Sequence, residues 1–213
     1  MRIKRRIIDE KIEEYLFSLR APRDKVLSEM EALAKEKRFP IVGPDVGVFL
    51  YILAKASKAK MVLELGSGFG YSAYWFAKAL PKDGVVHCTD GDPKNEKLAY
   101  SFFKKGDMLD KLRFNVGNAL EIVEHLPGFY DIIFCDIDKE GYPEAIGKVL
   151  PRLAKNGLFI ADNALWDGAV VEECEHEEST AGILKFNEAM SNHKEFDSII
   201  IPIRDGLMLA RKR

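Results

Sequence analysis

The sequence of 213 residues contains no glutamine, only three cysteines, no long apolar run and no excess of one charge. Cys88, Cys135 and Cys174 are too few for a disulfide framework, which excludes a small disulfide-rich secreted fold. The apolar runs fall well short of the roughly 20 residues that cross a bilayer. A charged helical pattern follows the basic start of the chain, where a signal peptide would have an apolar core. These absences predict a cytoplasmic protein.

The charge balance also restricts the function. The 32 lysines and arginines nearly match the 34 aspartates and glutamates, so no global positive field exists to hold a nucleic-acid backbone. A content of 47% hydrophobic and 31% charged residues is typical of one globular domain over residues 1–213. Because glutamine is absent and charges are plentiful, a thermophilic source is a further hypothesis.

Hydrophobic periodicity predicts a change of architecture near residue 58. Helical spacing and capping residues predict an N-terminal helical cap over residues 1–57, with helices at 9–19, 23–38 and about 45–57. In residues 58–213, short apolar runs alternate with amphipathic helices, which predicts a parallel sheet covered on both faces. The apolar runs are 61–65, 85–89, 112–116, 130–135 and 158–161, and the helical stretches lie near 71–80, 93–105, 119–125 and 142–154.

The end of the chain has a different pattern. Two further apolar runs, 197–203 and 207–210, flank a short turn and predict an antiparallel hairpin. The fold class is therefore α/β, a doubly wound Rossmann-like sheet that is mostly parallel and ends in this hairpin. Ligands of such sheets bind outside the carboxyl ends of the strands.

The first strand runs into a glycine-rich turn, Glu64-Leu65-Gly66-Ser67-Gly68-Phe69-Gly70-Tyr71-Ser72. Alternate glycines let the backbone turn sharply and approach a ligand, but their G-x-G-x-G spacing differs from the G-x-G-x-x-G of dinucleotide sites. Glu64 could accept hydrogen bonds from a cationic ligand, and Ser72 could meet a ligand carboxylate at the helix N-terminus. The alternative is a tight strand-to-helix turn without a ligand.

The next two strands also end in polar residues. Asp90 lies about 20 positions after the glycine turn, where an acidic residue can hold ribose hydroxyls; the alternative is an exposed loop aspartate. Asp92 is expected to cap the following helix. After the third strand, the small residue Ala119 could let a flat base pack beside Asn118, although Asn118 is equally well explained as a helix cap.

The fourth and fifth strands end in Asp136-Ile137-Asp138-Lys139 and Asp162-Asn163. These strands are neighbours in the usual strand order, so Asp136, Asp162 and Asn163 should converge. Two carboxylates and an amide carbonyl suit Mg²⁺, Ca²⁺ or Mn²⁺, whereas zinc would require His or Cys. The alternative is an ordinary acidic strand end beside an ordinary turn.

Taken together, these motifs resemble those of class I S-adenosylmethionine-dependent methyltransferases. The closest resemblance is to the small cation-dependent O-methyltransferases related to catechol and caffeoyl-CoA O-methyltransferases, and it runs from about residue 40 to the end. Its most specific part is D-x-D-K at 136–139 combined with A-D-N-x-L-W at 161–166. The matching stretches are 41–47, 63–72, 89–93, 134–139, 161–166 and 204–206.

The resemblance implies methyl transfer from S-adenosylmethionine to a hydroxyl of a small aromatic acceptor, assisted by Mg²⁺ or another divalent cation, in a homodimer. It implies catalytic roles for Lys139, as general base, and for Asp136. The implied metal ligands are Asp136, Asp162 and Asn163. The implied cofactor-binding residues are Val42, Glu64, Gly66, Ser67, Gly68, Ser72, Asp90, Asn118, Ala119 and Asp136. The alternative for Lys139 is a surface lysine paired with Glu140 or Asp138.

Two features depart from the family pattern. Catechol enzymes place an acidic residue on the C-terminal hairpin, where residues 198–201 are apolar apart from a serine, so catechol itself is disfavoured. Residues 164–180 are expected to form a variable flap over the acceptor, and the acidic run 172–178 disfavours an acidic acceptor. Cys174 and His176 in this run are not expected to bind metal.

Three alternative functions are weighed against the sequence. The same chemistry could methylate a hydroxylated wobble uridine in tRNA. A nicotinamide-dependent oxidoreductase is opposed by the glycine spacing and by the cation ligands. A non-catalytic binding module is opposed by the intact acidic set.

Overall fold

The computed structural model describes residues 7–172 and 177–213. The strands of this part of the chain are β1 (Met61–Leu65), β2 (Val85–Asp90), β3 (Leu112–Val116), β4 (Tyr130–Cys135), β5 (Leu153–Ala161), β6 (Phe196–Ile201) and β7 (Leu207–Lys212). They form one sheet in the order β3-β2-β1-β4-β5-β7-β6. Strands β1 to β5 are parallel, and β7 pairs antiparallel with both β5 and β6. The predicted fold class is confirmed.

Helices cover both faces of the sheet. They are α1 (Glu10–Ser18), α2 (Lys25–Lys37), α3 (Gly43–Ala56), α4 (Tyr71–Ala79), α5 (Pro93–Lys105), α6 (Ala119–His125), α7 (Tyr142–Val149) and α8 (Glu178–Ser191). Alternate strand residues enter two buried clusters, so Val62 packs with α2 to α5 and Leu63 packs with α6 to α8. None of the helices in the described ranges is long and apolar enough to cross a membrane.

Some predicted boundaries are wrong. The helix expected over 142–154 ends at Val149, and β5 begins at Leu153, five residues before the apolar run. Lys155 and Asn156 are polar and exposed and interrupt the apolar pattern there, and the pairing register with β4 shifts at the same place. Helix α3 begins at Gly43, two residues before the predicted start, so Asp45 lies within its first turn, where its carboxylate pairs with Arg20.

Helices α2 and α8 also differ from expectation. Helix α2 begins at Lys25, two residues after the predicted start at 23, and Asp24 is its cap. Helix α8 was not predicted, because the acidic run before it obscured its apolar face. That face is nevertheless present in the sequence, since Ile183, Phe186 and Met190 recur at helical spacing and are buried.

Candidate active site

A cavity of about 870 Å³ opens at the carboxyl ends of the parallel strands. The loops after β1 to β5 and the turn between β6 and β7 line it. Of the residues predicted to bind a cofactor, those that line it are Val42, Gly66, Ser67, Gly68, Ser72, Asp90, Asn118, Ala119 and Asp136. Glu64, which was also predicted to bind the cofactor, is buried beneath the cavity floor and does not itself line the cavity, and its role stays a prediction.

The glycine turn forms that floor. Gly66 has φ +81°, and a Cβ at this position would lie 2.4 Å from the carbonyl oxygen of Asp136. Only glycine therefore lets the end of β1 pack against the end of β4. The turn is tied to β2 as well, since the amides of Gly66 and Ser67 donate to the carbonyl of Thr89 at 3.1 and 2.8 Å.

Glu64 is fully buried under this turn. Among the described residues its Oε1 has no hydrogen-bond partner, and its Oε2 lies 3.8 Å from the sulfur of Cys88. Burial raises the pKa of Glu64 to about 8, and polar contacts with the hydroxyls of Ser72 and Ser67 only partly offset it. This raised pKa favours the protonated, neutral form of Glu64 at neutral pH.

Asp90 lies at the end of β2 and points along the cavity wall. Its carboxylate accepts hydrogen bonds from the amides of Gly68 (3.0 Å) and Asp92 (2.8 Å) and from Nδ2 of Asn95 (2.9 Å). Three donors thus fix its orientation. Asp92 caps α5 as predicted, through the amide of Lys94.

Asn118 caps α6. Its Oδ1 accepts from the amides of Leu120 (2.9 Å) and Glu121 (3.3 Å), as the cap alternative proposed. Its neighbour Ala119 is nearly buried and lines the cavity at the first turn of α6. The cap places this small side chain at the cavity wall, beyond the end of β3.

Asp136, Asp162 and Asn163 meet at the edge formed by β4 and β5. Cys135 pairs with Ala161, and the amide of Asp162 donates to the carbonyl of Cys135 at 3.1 Å. Asp162 is 1% exposed, and its Oδ1 has no hydrogen-bond partner in the described part of the chain. Burial and the nearby carboxylate of Asp136 raise the pKa of Asp162 to about 6.

This set fits a hard divalent cation. An unpartnered carboxylate oxygen buried beside a second carboxylate is stabilised by a positive ion. Nδ2 of Asn163 donates to Asp205 at 2.9 Å, which leaves its carbonyl oxygen as the atom available to a cation. Within residues 7–172 and 177–213, no group of three or more His, Cys, Asp or Glu side chains is placed to hold a metal ion.

Lys139 is buried beside this set. Its Nζ donates to Asp136 Oδ1 at 2.7 Å, to the carbonyl of Ile137 at 3.0 Å and to the hydroxyl of Tyr142 at 3.0 Å. The ammonium also lies 5.7 Å from the ring centre of Trp166. The alternative of a surface lysine paired with Glu140 or Asp138 is therefore wrong.

Arg204 is a cavity residue that sequence reasoning assigned only to a turn. Its Nη1 donates to Asp162 Oδ2 at 2.9 Å, across 42 residues of sequence. The next residue, Asp205, is buried and accepts from Nδ2 of Asn163 and from the amide of Asp167. The sequence contained one signal for this part of the site, because the charged residues Arg204 and Asp205 interrupt an otherwise apolar hairpin.

The flap is described only in part. Trp166–Val171 forms 3₁₀ turns, and Trp166 lines the cavity. Cys174 and His176 lie outside the described residues, as does the centre of the acidic run. His87, His125 and His193 do not line the cavity.

Comparison with known proteins gives consistent results. A family model described as O-methyltransferase matches residues 18–213. A catechol O-methyltransferase from Niastella koreensis is 33% identical over 215 residues, covering 95% of this chain and 97% of that protein. Caffeoyl-CoA O-methyltransferase 1 from Eucalyptus globulus is 31% identical over 179 residues, covering 79% of this chain and 73% of that protein.

Solved structures agree with these relatives. A methyltransferase from Geobacter sulfurreducens has 30% identity and a TM-score of 0.84, covering 97% of this chain and 98% of that chain. The O-methyltransferase TomG from Streptomyces achromogenes, solved in complex with SAM, has 26% identity and a TM-score of 0.85. The match covers 95% of this chain and 96% of that chain.

Proposed function

The chain belongs to the O-methyltransferase family, and from this premise we propose that it uses a divalent cation to methylate a hydroxyl of a small aromatic acceptor. It is an S-adenosylmethionine-dependent O-methyltransferase of the catechol and caffeoyl-CoA type. The nicotinamide-dependent and non-catalytic alternatives are thereby set aside. The observation that supports the cation is the unpartnered, buried Oδ1 of Asp162 beside Asp136 and Asn163.

We propose that the cofactor lies along the glycine turn. Asp90, whose orientation three N–H donors fix, would accept hydrogen bonds from the ribose hydroxyls. Ser72 and the backbone near Val42 would contact the methionine end, and Asn118 and Ala119 would flank the adenine. When bound, the cofactor supplies an already activated methyl group on its sulfonium, so no covalent enzyme intermediate is required. The protein contributes position and exclusion of water.

We propose that Asp136, Asp162 and Asn163 hold the cation, with Glu64 kept outside this set beneath the floor. When bound, a divalent cation lowers the pKa of an acceptor hydroxyl and fixes its position. The chain's own residues prepare this site in two ways. First, Asp205 orients Asn163 by accepting a hydrogen bond from its Nδ2. Second, Arg204 donates to Oδ2 of Asp162, so that Oδ1 of Asp162 is the oxygen available to the ion.

We propose Lys139 as the group that handles the acceptor proton. Its three present contacts, with Asp136, Ile137 and Tyr142, match the three N–H donors of an ammonium. It can therefore hold an acceptor oxygen by donating to it, once one of these contacts is exchanged. It can take the acceptor's proton only after releasing one of its own.

The experiment is a methyl-transfer screen over hydroxylated aromatic acceptors, with Mg²⁺ and with a chelator. Turnover should be lost with chelator and in Asp136→Ala. Turnover of an accepted substrate that is unchanged by both treatments would refute the cation. A tRNA substrate belongs in the same screen, because preferential methylation of tRNA, weakened steeply by salt, would refute the small acceptor.

We also propose that the protein is a homodimer. No residue of α1 is buried, and its exposed apolar side chains form a face that an isolated chain would leave in water. These side chains, with the following leucine, are Ile12, Tyr15, Leu16, Phe17 and Leu19. Light scattering should give twice the chain mass for the wild type and the chain mass for Leu16→Glu; a monomeric wild type would refute this proposal.

A further inference from the structure

We propose that Arg204 recognises an anionic substituent of the acceptor, so that the preferred acceptor is a hydroxylated aromatic acid with a free carboxylate. This inference rests on the proposed function and adds the substrate class to it. Arg204 lines the same cavity as Lys139, Asn163 and Trp166, and it contacts Asp162 at the end of β5. Strands β1 and β4 separate β5 from β2, whose end carries the proposed ribose ligand Asp90.

The turn that carries Arg204 is built to hold it in place. Arg204 has φ +52°, a left-handed conformation that is uncommon for a non-glycine residue and that often marks a functional position. The adjacent Asp205 accepts two hydrogen bonds through its buried carboxylate. The amides of Ala164 and Leu165 donate to the carbonyls of Gly206 and Asp205, both at 2.9 Å. These hydrogen bonds fix the backbone of the turn from which the Arg204 side chain extends.

The guanidinium retains capacity for a second anion. Its pair with Asp162 uses Nη1, and 41% of the side chain remains exposed although Asp162 itself is almost completely buried. A guanidinium presents five N–H donors in a planar fork, which can bind one carboxylate through one edge and a second through another. A residue needed only to neutralise Asp162 would not have to reach the cavity surface.

The charge of this end of the cavity also favours an anion. Lys139 pairs with Asp136 and Arg204 pairs with Asp162, while the buried carboxylate of Asp205 contacts Asn163, so these five charged side chains carry a net charge of about −1. A bound divalent cation makes the group positive. Asp138 and Glu140 also line the cavity, but both are exposed and are screened by water and salt. An acceptor that brings a negative charge is therefore stabilised.

This inference reverses the preference that the acidic run at 172–178 suggested. Residues 173–176 of that run lie outside the described part of the chain, and Glu177 and Glu178 are exposed. Arg204, by contrast, lies in the cavity wall and in direct contact with a proposed cation ligand. The fixed, partly desolvated charge of Arg204 has more influence on binding than the solvent-exposed charges of Glu177 and Glu178.

The test compares each acid with its own neutral amide. Calorimetry measures binding of 3,4-dihydroxyphenylacetate and its amide, and of caffeate and its amide, to protein that contains Mg²⁺ and S-adenosylhomocysteine. The wild type should bind at least one acid about tenfold or more tightly than the matched amide. In Arg204→Gln this ratio should approach one. Because both ligands experience any disturbance of Asp162 equally, the ratio isolates the recognition of the carboxylate.

The control is Arg211→Gln, which removes the same charge from an exposed position on β7 and should keep the wild-type ratio. Equal affinities for acids and amides in the wild type would overturn the inference, whether or not Arg204→Gln folds. An undiminished ratio in folded Arg204→Gln would also overturn it. If the acids bind with the expected preference but are never methylated, the proposed reaction fails while the role of Arg204 stands.

Discussion

Replacing Glu64 with glutamine should make the protein's stability less dependent on pH. The carboxyl group is fully buried and its pKa is raised from 4.5 to about 8, chiefly by burial. The folded state therefore retains this proton over a range in which the unfolded chain has lost it. The neutral acid contributes stability that is complete below pH 4.5 and is lost progressively as the pH rises towards 8. Glutamine, which does not titrate, removes this dependence.

The magnitude follows from the two pKa values. Each pH unit between them corresponds to about 1.4 kcal/mol, which gives an upper limit of about 5 kcal/mol over the whole range. Relaxation around a buried carboxylate reduces such effects. Between about pH 5.5 and 8.5 we therefore expect the free energy of unfolding of the wild type to fall by about 2–3 kcal/mol relative to Glu64→Gln.

The assay is urea unfolding of both proteins at several pH values, with the exposed Glu188→Gln as a matched control. The control should follow the wild type at every pH. If the difference between the wild type and Glu64→Gln is constant from about pH 5.5 to 8.5, Glu64 does not hold a proton in the folded state. The reasoning from burial would then be wrong.

Three further predictions concern the proposed site. Asp90→Ala should weaken S-adenosylmethionine binding by about 1–3 kcal/mol, the range for lost charge-assisted hydrogen bonds, and wild-type affinity in calorimetry would refute the ribose role. Asp162→Ala should weaken Mg²⁺ binding at least about tenfold, whereas the exposed neighbour Asp138→Ala should retain it; equal losses would contradict the assigned ligands. Lys139→Met should lower kcat by about 10²–10⁴ with little change in the KM of the cofactor, and an unchanged kcat would exclude proton handling.

The sequence was sufficient to locate the carboxyl ends of the parallel strands and the acidic residues at those ends. Strands buried on both faces are continuously apolar, so the first polar residue after each apolar run marks the carboxyl end of a strand. Asp90, Asp136 and Asp162 were located in this way. The same rule failed at β5, where residues 155–157 interrupt the apolar pattern inside the strand.

The features that sequence reasoning missed depend on contacts between distant segments. Arg204 acquires its partner, Asp162, only when β7 inserts between β5 and β6. The position of Glu64 before the glycine turn suggested a carboxylate facing a ligand, but β1 is covered on both faces and the side chain of Glu64 is fully buried. Lys139 appeared exposed among charged neighbours, although the chain turns inward there and places its amine against Asp136 and Tyr142.

The strand order has a consequence for protein synthesis. A nascent polypeptide that has left the ribosome only as far as β6 already contains the glycine turn and Asp90. It still lacks Asp205 and β7, and hence the contacts that orient Asn163 and complete the edge beside β5. The half of the cavity assigned to the nucleotide can therefore form during translation, whereas the half assigned to the ion forms only when the last hairpin has emerged.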